Sequence, residues 1–145
     1  MWAVCEVMSL GQLSRWYDNL KPMPTRRAIA DVYGVNEEAL KSWLRHISLV
    51  RNVCAHHSRL WNREFTITPA LPRSRPASLA AQCQTNSRKI YNTLVILLHC
   101  MDVIAPQHHW RTRLKDLIAR HAIPVAVMDF PSDWGQRAIW LERTA

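Results

Sequence analysis

The longest unbroken helical pattern in the chain runs from Asn36 to Asn62 and reads NEEALKSWLRHISLVRNVCAHHSRLWN. Asn36 is predicted to cap the start of this helix. Glu37 and Glu38 follow in the first turn, where negative charge favours a helix. Neither proline nor glycine occurs again before Pro69, so we expect the helix to continue to about Asn62.

The rest of the chain is also mainly helical in pattern. Further helices are predicted over residues 2–20 (with a bend or break near Gly11), over 25–33 with Gly34 after its end, from Ser78 or Ser87 to Ala105, over 108–121 and over 133–141. Residues 64–77 differ, because three prolines together with Arg73 and Arg75 predict a basic, extended loop. The sequence therefore predicts an all-α fold of one domain, covering residues 1–145.

Composition excludes several classes of protein. The 145 residues include only 3 glycines, each isolated, so neither a P-loop nor a dinucleotide-binding loop is present. None of the 4 cysteines forms a C-x-x-C pair, and no spacing typical of a zinc site occurs. Cys54 and Cys100 lie in apolar runs and are expected to be buried. With 19 Lys and Arg against 11 Asp and Glu, the net charge of +8 favours a polyanionic partner.

Membrane insertion and secretion are not expected from the sequence. The longest apolar run, Leu94–Cys100, is far shorter than the about 20 residues that span a bilayer. The N-terminus has no basic segment followed by an apolar stretch and a cleavage site. We therefore expect a cytoplasmic protein that does not contact a membrane.

One side of the long helix carries the candidate chemistry. At about 100° per residue, Arg51, Asn52, His56, Arg59 and Arg63 fall within one polar wedge. Histidine transfers protons near neutral pH, and arginine binds phosphate oxygens with a fixed positive charge. RNA supplies its own nucleophile, the 2′-OH, so such a site needs neither a metal nor a cofactor. The alternative is that this wedge is only a solvated helix face.

The opposite side of the helix is predicted to face the core. Its members are Trp43, Ile47, Val50, Cys54 and Trp61. His57 lies nearer to this side than His56 and is expected to be buried and hydrogen-bonded. Leu49, Val53 and Leu60 form a separate apolar patch, which is expected to contact another subunit or another helix.

The residues around His56 resemble a known family. Arg51-Asn52-x-x-x-His56 fits the R-x4–6-H signature of HEPN-type ribonucleases, and the wider string RNVCAHHSRLWNR resembles the Abi-like (abortive infection) bacterial family. Other segments agree in order: Trp2-x3-Glu6-x2-Ser9-x-Gly11-x-Leu13-Ser14, Ile29-Ala30-x2-Tyr33-Gly34, Ser42-Trp43-Leu44 and Phe130-Pro131-x2-Trp134.

The resemblance implies a HEPN-type helical bundle and an endoribonuclease active in phage defence. It implies a homodimer in which two signatures face one metal-independent site, where 2′-OH attack leaves a 2′,3′-cyclic phosphate. Arg51 and His56 would be the catalytic pair, and Asn52 the supporting polar residue. We expect Arg59, Arg63, Arg73 and Arg75 to bind RNA. Family members are about twice as long, so we expect the chain to correspond to their C-terminal half.

Two other functions stay open at this point. The chain could be a non-catalytic module that binds RNA through the same four arginines and the basic helix near Arg111, Arg113 and Lys115. It could also be a toxin whose basic face binds a protein. The sequence identifies neither the RNA target nor an antitoxin or other regulatory partner.

Overall fold

The structure is a computed structural model that describes residues 7–72 and 76–141. Within these ranges the regular structure is helical and no β-strand occurs, which confirms the all-α prediction. The α-helices are α1 (Leu10–Asn19), α2 (Met23–Val32), α3 (Glu37–Ala55), α4 (Ala77–Ala80), α5 (Ile90–Ile104) and α6 (Trp110–Arg120). Short 3-10 helices follow at Val125–Met128, Trp134–Gln136 and Ala138–Trp140.

The start of α1 shows where the expected break in the N-terminal pattern lies. Ser9 caps the helix, because its hydroxyl accepts a hydrogen bond from the backbone N–H of Gln12 at 3.2 Å. The side-chain oxygen of Gln12 in turn accepts from the Ser9 N–H at 2.8 Å. This reciprocal capping box begins a new helix at Leu10. The break therefore precedes Gly11, which lies in the first turn.

Helix α3 begins as predicted and ends earlier than predicted. The side chain of Asn36 accepts a hydrogen bond from the Ala39 N–H at 2.7 Å, which confirms it as the cap. The helix stops at Ala55 rather than near Asn62. Its end is a Schellman motif, in which the Ser58 N–H donates to the Val53 carbonyl at 3.0 Å and His57 has a φ of 50°. Glycine is usual at that position, so a histidine there gives no stop signal in the sequence.

The middle of α3 lies at the centre of the core. Trp43 is completely buried, and its indole N–H donates to the Ala70 carbonyl at 2.8 Å. Phe65 is also buried and joins the segment before α5 through a 2.8 Å hydrogen bond from its N–H to the Arg88 carbonyl. The described part of the predicted loop, residues 64–72, is thus irregular but packed against the protein. Its packing holds one side of α3 against the core.

A cluster of aromatic rings packs the C-terminal segment against α5. Tyr91, Phe130, Trp134 and Trp140 contact one another, with ring centroids between 5.0 and 6.3 Å apart. Rings at such distances gain stability beyond the area they bury. The last predicted helix, over 133–141, is instead a pair of short 3-10 helices divided at Arg137.

Candidate functional site

The signature residues lie at the C-terminal end of α3. Arg51 and Asn52 are in the last two turns, and His56 is the capping residue after the helix. The backbone N–H of His56 donates to the Asn52 carbonyl at 3.0 Å, so these two residues are one turn apart on the same side. All three side chains are exposed. In the described part of the chain no hydrogen bond joins their side chains to one another, and each is accessible to a ligand.

Arg59 and Arg63 do not share a helix with the signature, so the predicted five-residue wedge is wrong. They lie in the loop after α3, where both are exposed. The guanidinium carbon of Arg59 is 5.9 Å from the ring centroid of Trp61, a cation–π contact. Trp61 is 41% exposed and does not belong to the core, because the helix that would have turned it inward has already ended.

The other arginines considered for RNA binding differ in where they lie in the structure. Arg73 and Arg75 lie outside the described residues. Arg111 is buried at 4% exposure, and its guanidinium donates to both carboxylate oxygens of Asp102 at 2.9 Å. It also donates to the Ile139 carbonyl, which ties α6 to the C-terminal segment. Arg111, which the alternative RNA-binding hypothesis included, is therefore not open to RNA, because its charge is paired inside the protein.

The buried histidine of α3 is His46, and the prediction for His57 is wrong. His57 is exposed. His46 is 1% exposed, with Nδ1 2.6 Å from the Ile67 carbonyl and Nε2 2.7 Å from the Thr93 hydroxyl. A carbonyl only accepts, so Nδ1 carries the proton and Nε2 accepts from Thr93. Burial lowers the pKa of His46 below its ordinary value of 6.5. His46 is thus a neutral structural residue.

One further expectation about α3 is wrong, and the contacts expected of its separate apolar patch are made within the chain. Cys54 is exposed rather than buried, since it follows the part of the helix that the core covers. Val53 is buried, and both Leu49 and Leu60 are half-buried against the core. The apolar patch that these three residues were expected to present is therefore covered within the chain. Cys100 does pack against the core, where burial raises its pKa to about 11.

A polar groove lies between α1 and α3 and reaches the signature at Asn52. This α1–α3 groove has a volume of about 570 Å³. Its lining includes three cationic side chains and one acidic side chain: Arg15, Lys41, Arg45 and Asp18. Lys41 and Asp18 form an ion pair at 2.7 Å across the groove. Two arginines, one on each helix, therefore supply its remaining charge.

Helical spacing explains how α3 contributes to this groove. Lys41, Arg45, Ser48 and Asn52 follow one another at intervals of four, three and four residues, which places them on one face. The two helices approach closely at Gly11, where an added Cβ would be only 3.2 Å from the Ser48 hydroxyl. Arg15, Lys41 and Arg45 were not among the site residues predicted from the sequence. The i, i+4, i+7, i+11 spacing back from Asn52 was the available signal for the α3 members.

Residues 7–72 and 76–141 contain neither a metal-binding cluster nor a membrane-spanning helix. No cluster of three or more His, Cys, Asp or Glu side chains in these ranges is arranged to hold a metal ion. No helix in them is both long and apolar enough to cross a membrane.

Residues 1–62 match the model of a family described as Abi-like protein. The match covers 62 of the 145 residues and includes Arg51, Asn52 and His56. It supports the resemblance to the Abi-like family over this part of the chain. No curated protein and no solved structure gives a significant match. The resemblance of the Phe130–Trp134 segment to the end of the family stays a prediction, as does the HEPN signature.

Proposed function

We propose that this protein is a metal-independent endoribonuclease that acts in abortive infection, with Arg51 and His56 as its catalytic pair. One observation carries the proposal. The segment that matches the Abi-like family contains Arg51, Asn52 and His56, and all three side chains are exposed at the same end of α3. The family match supports the phage-defence role, and the chemistry of the side chains supports the reaction.

The proposed reaction is an attack within the RNA strand. The 2′ oxygen bonds to the adjacent phosphorus while the bond from phosphorus to the 5′ oxygen breaks. The imidazole of His56 takes the proton of the 2′-OH and returns it to the departing 5′ oxygen. The products are a 2′,3′-cyclic phosphate and a 5′-OH end. The guanidinium of Arg51 stabilises the negative charge that grows on the phosphorane.

Asn52 and the loop after α3 have supporting roles in this proposal. Asn52 lies one turn before His56 and is suited to orient its ring or to hold a phosphate oxygen. Arg59 and Arg63 are exposed in that loop and are proposed to bind the RNA backbone. A homodimer joined near this end of α3 would bring two copies of Arg51 and His56 to one composite site.

The test is RNA cleavage by the purified protein in the presence of EDTA. We expect cleavage to persist, and His56→Ala and Arg51→Ala each to lower its rate by at least about 100-fold. His121→Ala is the matched control, because His121 is also an exposed capping residue at the end of a helix, α6. Its rate should stay near that of the unchanged protein, and the product ends should be 2′,3′-cyclic phosphates. Cleavage that survives both His56→Ala and Arg51→Ala would contradict the proposal.

A second function is supported by the exposure of Trp61. An exposed tryptophan beside Arg59 and Arg63 is a suitable surface on which an unpaired RNA base can stack. The chain would then be a non-catalytic RNA-binding module of a defence or toxin–antitoxin system. Salt-sensitive RNA binding without any cleavage would favour this function over the first.

A further inference from the structure

Neither Arg51 nor His56 lines the α1–α3 groove, which meets the signature only at Asn52. Asn52 belongs both to the signature and to the groove lining. From Lys41 to Asn52 the groove follows α3 for about three helical turns, which is about 16 Å. The groove therefore reaches the proposed catalytic residues from one side and is lined largely by polar and cationic groups.

The charges of the groove favour an anionic occupant. Arg15 projects from α1 and Arg45 from α3, and no acidic side chain within residues 7–72 or 76–141 forms an ion pair with either. Asp18, the acidic residue in the lining, is already paired with Lys41. Two positive charges on facing helices thus remain for a ligand. Ser14 and Ser48 add hydroxyl groups to the same lining.

These groups suit a phosphodiester chain better than a compact anion. A guanidinium group binds two phosphate oxygens at once, and hydroxyl groups also donate to phosphates. Proteins that bind single strands typically combine a long cationic groove for the backbone with an aromatic surface for the bases. Here the groove approaches the signature along α3, and the exposed Trp61 follows the signature in sequence.

We propose that the α1–α3 groove binds the phosphodiester backbone of single-stranded RNA and leads it to Arg51 and His56. This proposal rests on the proposed function in taking RNA as the substrate. Arg15 and Arg45 are the main phosphate contacts, and Asn52 is the contact nearest to the cleaved bond. Lys41 contributes when a phosphate replaces Asp18 as its partner.

The test measures RNA binding in a parent variant, His56→Ala, so that the RNA stays intact. A short fluorescent single-stranded RNA is titrated, and its anisotropy is followed at several salt concentrations. Arg15→Ala and Arg45→Ala, added together to this parent, should weaken RNA binding at least about tenfold near 100 mM salt. They should also reduce the slope of log K against log salt by about 1.4, because each single-strand phosphate contact contributes about 0.7.

A matched control removes the same charge elsewhere. Lys21→Ala with Arg120→Ala also deletes two exposed positive charges. Within residues 7–72 and 76–141 neither side chain forms an ion pair, and neither lines the groove. This pair should change the affinity less than about twofold, apart from a small general effect of net charge. Arg45→Lys should retain most of the binding, because it keeps the charge. Circular dichroism checks that each variant is folded.

Several results would overturn the proposal. One is an equal loss of affinity in the groove pair and the control pair, which would mean that only net charge matters. Another is no RNA binding at all. A third is equally tight binding of poly-glutamate, which carries charge but no phosphate.

Failure of the groove and failure of the nuclease can be told apart. Binding that depends on Arg15 and Arg45 without any cleavage by the unchanged protein would remove the nuclease and keep the groove. Cleavage that depends on His56, with unchanged RNA affinity in the groove pair, would keep the nuclease and remove the groove.

Discussion

His46 lies within α3 and His56 caps the C-terminal end of that helix, and the surroundings of the two side chains are opposite. His46 is 1% exposed and both of its ring nitrogens have protein partners, whereas His56 is exposed after the last turn. The same contrast holds for Trp43, which is completely buried, and Trp61, which is 41% exposed. Residue type therefore does not separate the structural part of this region from the part that is open to ligands. What separates the two parts is whether the core covers α3 at that position, and this cover ends near Val53.

Substitution of the two tryptophans should give the largest difference in the free energy of unfolding. Trp43→Ala should lower the free energy of unfolding by about 3–5 kcal/mol, because it leaves a cavity at the centre of the core. Trp61→Ala should change it by no more than about 0.5 kcal/mol, as expected at an exposed position. Urea unfolding at one fixed pH measures both.

If Trp43→Ala does not fold, the milder variant Trp43→Phe can be measured instead. Trp43→Phe keeps most of the volume but leaves the Ala70 carbonyl without its donor, at a cost of about 1–3 kcal/mol. Equal stability losses at positions 43 and 61 would refute the contrast.

The buried His46 links the stability of the protein to pH. His46 stays neutral in the folded protein because burial lowers its pKa, whereas in the unfolded chain it takes up a proton below about 6.5. The unfolded state then binds more protons, so stability is complete above this pH and falls as the pH drops below it. The slope for this one group reaches at most about 1.4 kcal/mol per pH unit.

The measurement is urea unfolding over a series of pH values from about 8 to about 5. His46→Gln should remove this contribution to the slope, although the variant is less stable at every pH. A slope that persists unchanged in His46→Gln would contradict the assignment of His46 as the residue that links stability to pH.

The sequence predicted the helical class and the start of α3 because both depend on local signals. The cap at Asn36 needs only its own helix, and its hydrogen bond to Ala39 lies within one turn. The burial of His46 depends instead on Ile67 and Thr93, which are 21 and 47 residues away. The α1–α3 groove likewise needs the packing of two helices. Contacts between distant segments leave no local signal for the burial of His46 or for the position of Arg15, and only the spacing of the α3 residues indicates their share of the groove.

The end of α3 was missed for a different reason, which comparison with α2 makes clear. Helix α2 ends in the same Schellman motif, where the Val35 N–H donates to the Ala30 carbonyl at 3.2 Å and Gly34 has a φ of 66°. At α3 the equivalent residue is His57, with a φ of 50°. An L-residue in this region pays about 1 kcal/mol that glycine does not.

His57→Gly should therefore raise the free energy of unfolding by about 0.5–1 kcal/mol. The reciprocal change, Gly34→Ala, should lower it by about 1 kcal/mol, and an added Cβ there meets no atom within 4 Å, so the loss reports the backbone alone. Both positions are exposed, which keeps the loss of side-chain packing small. A lower stability in His57→Gly would mean that the His57 side chain contributes more than the strain of its backbone costs. A higher one would identify the residue next to His56 as a strained position that glycine relieves.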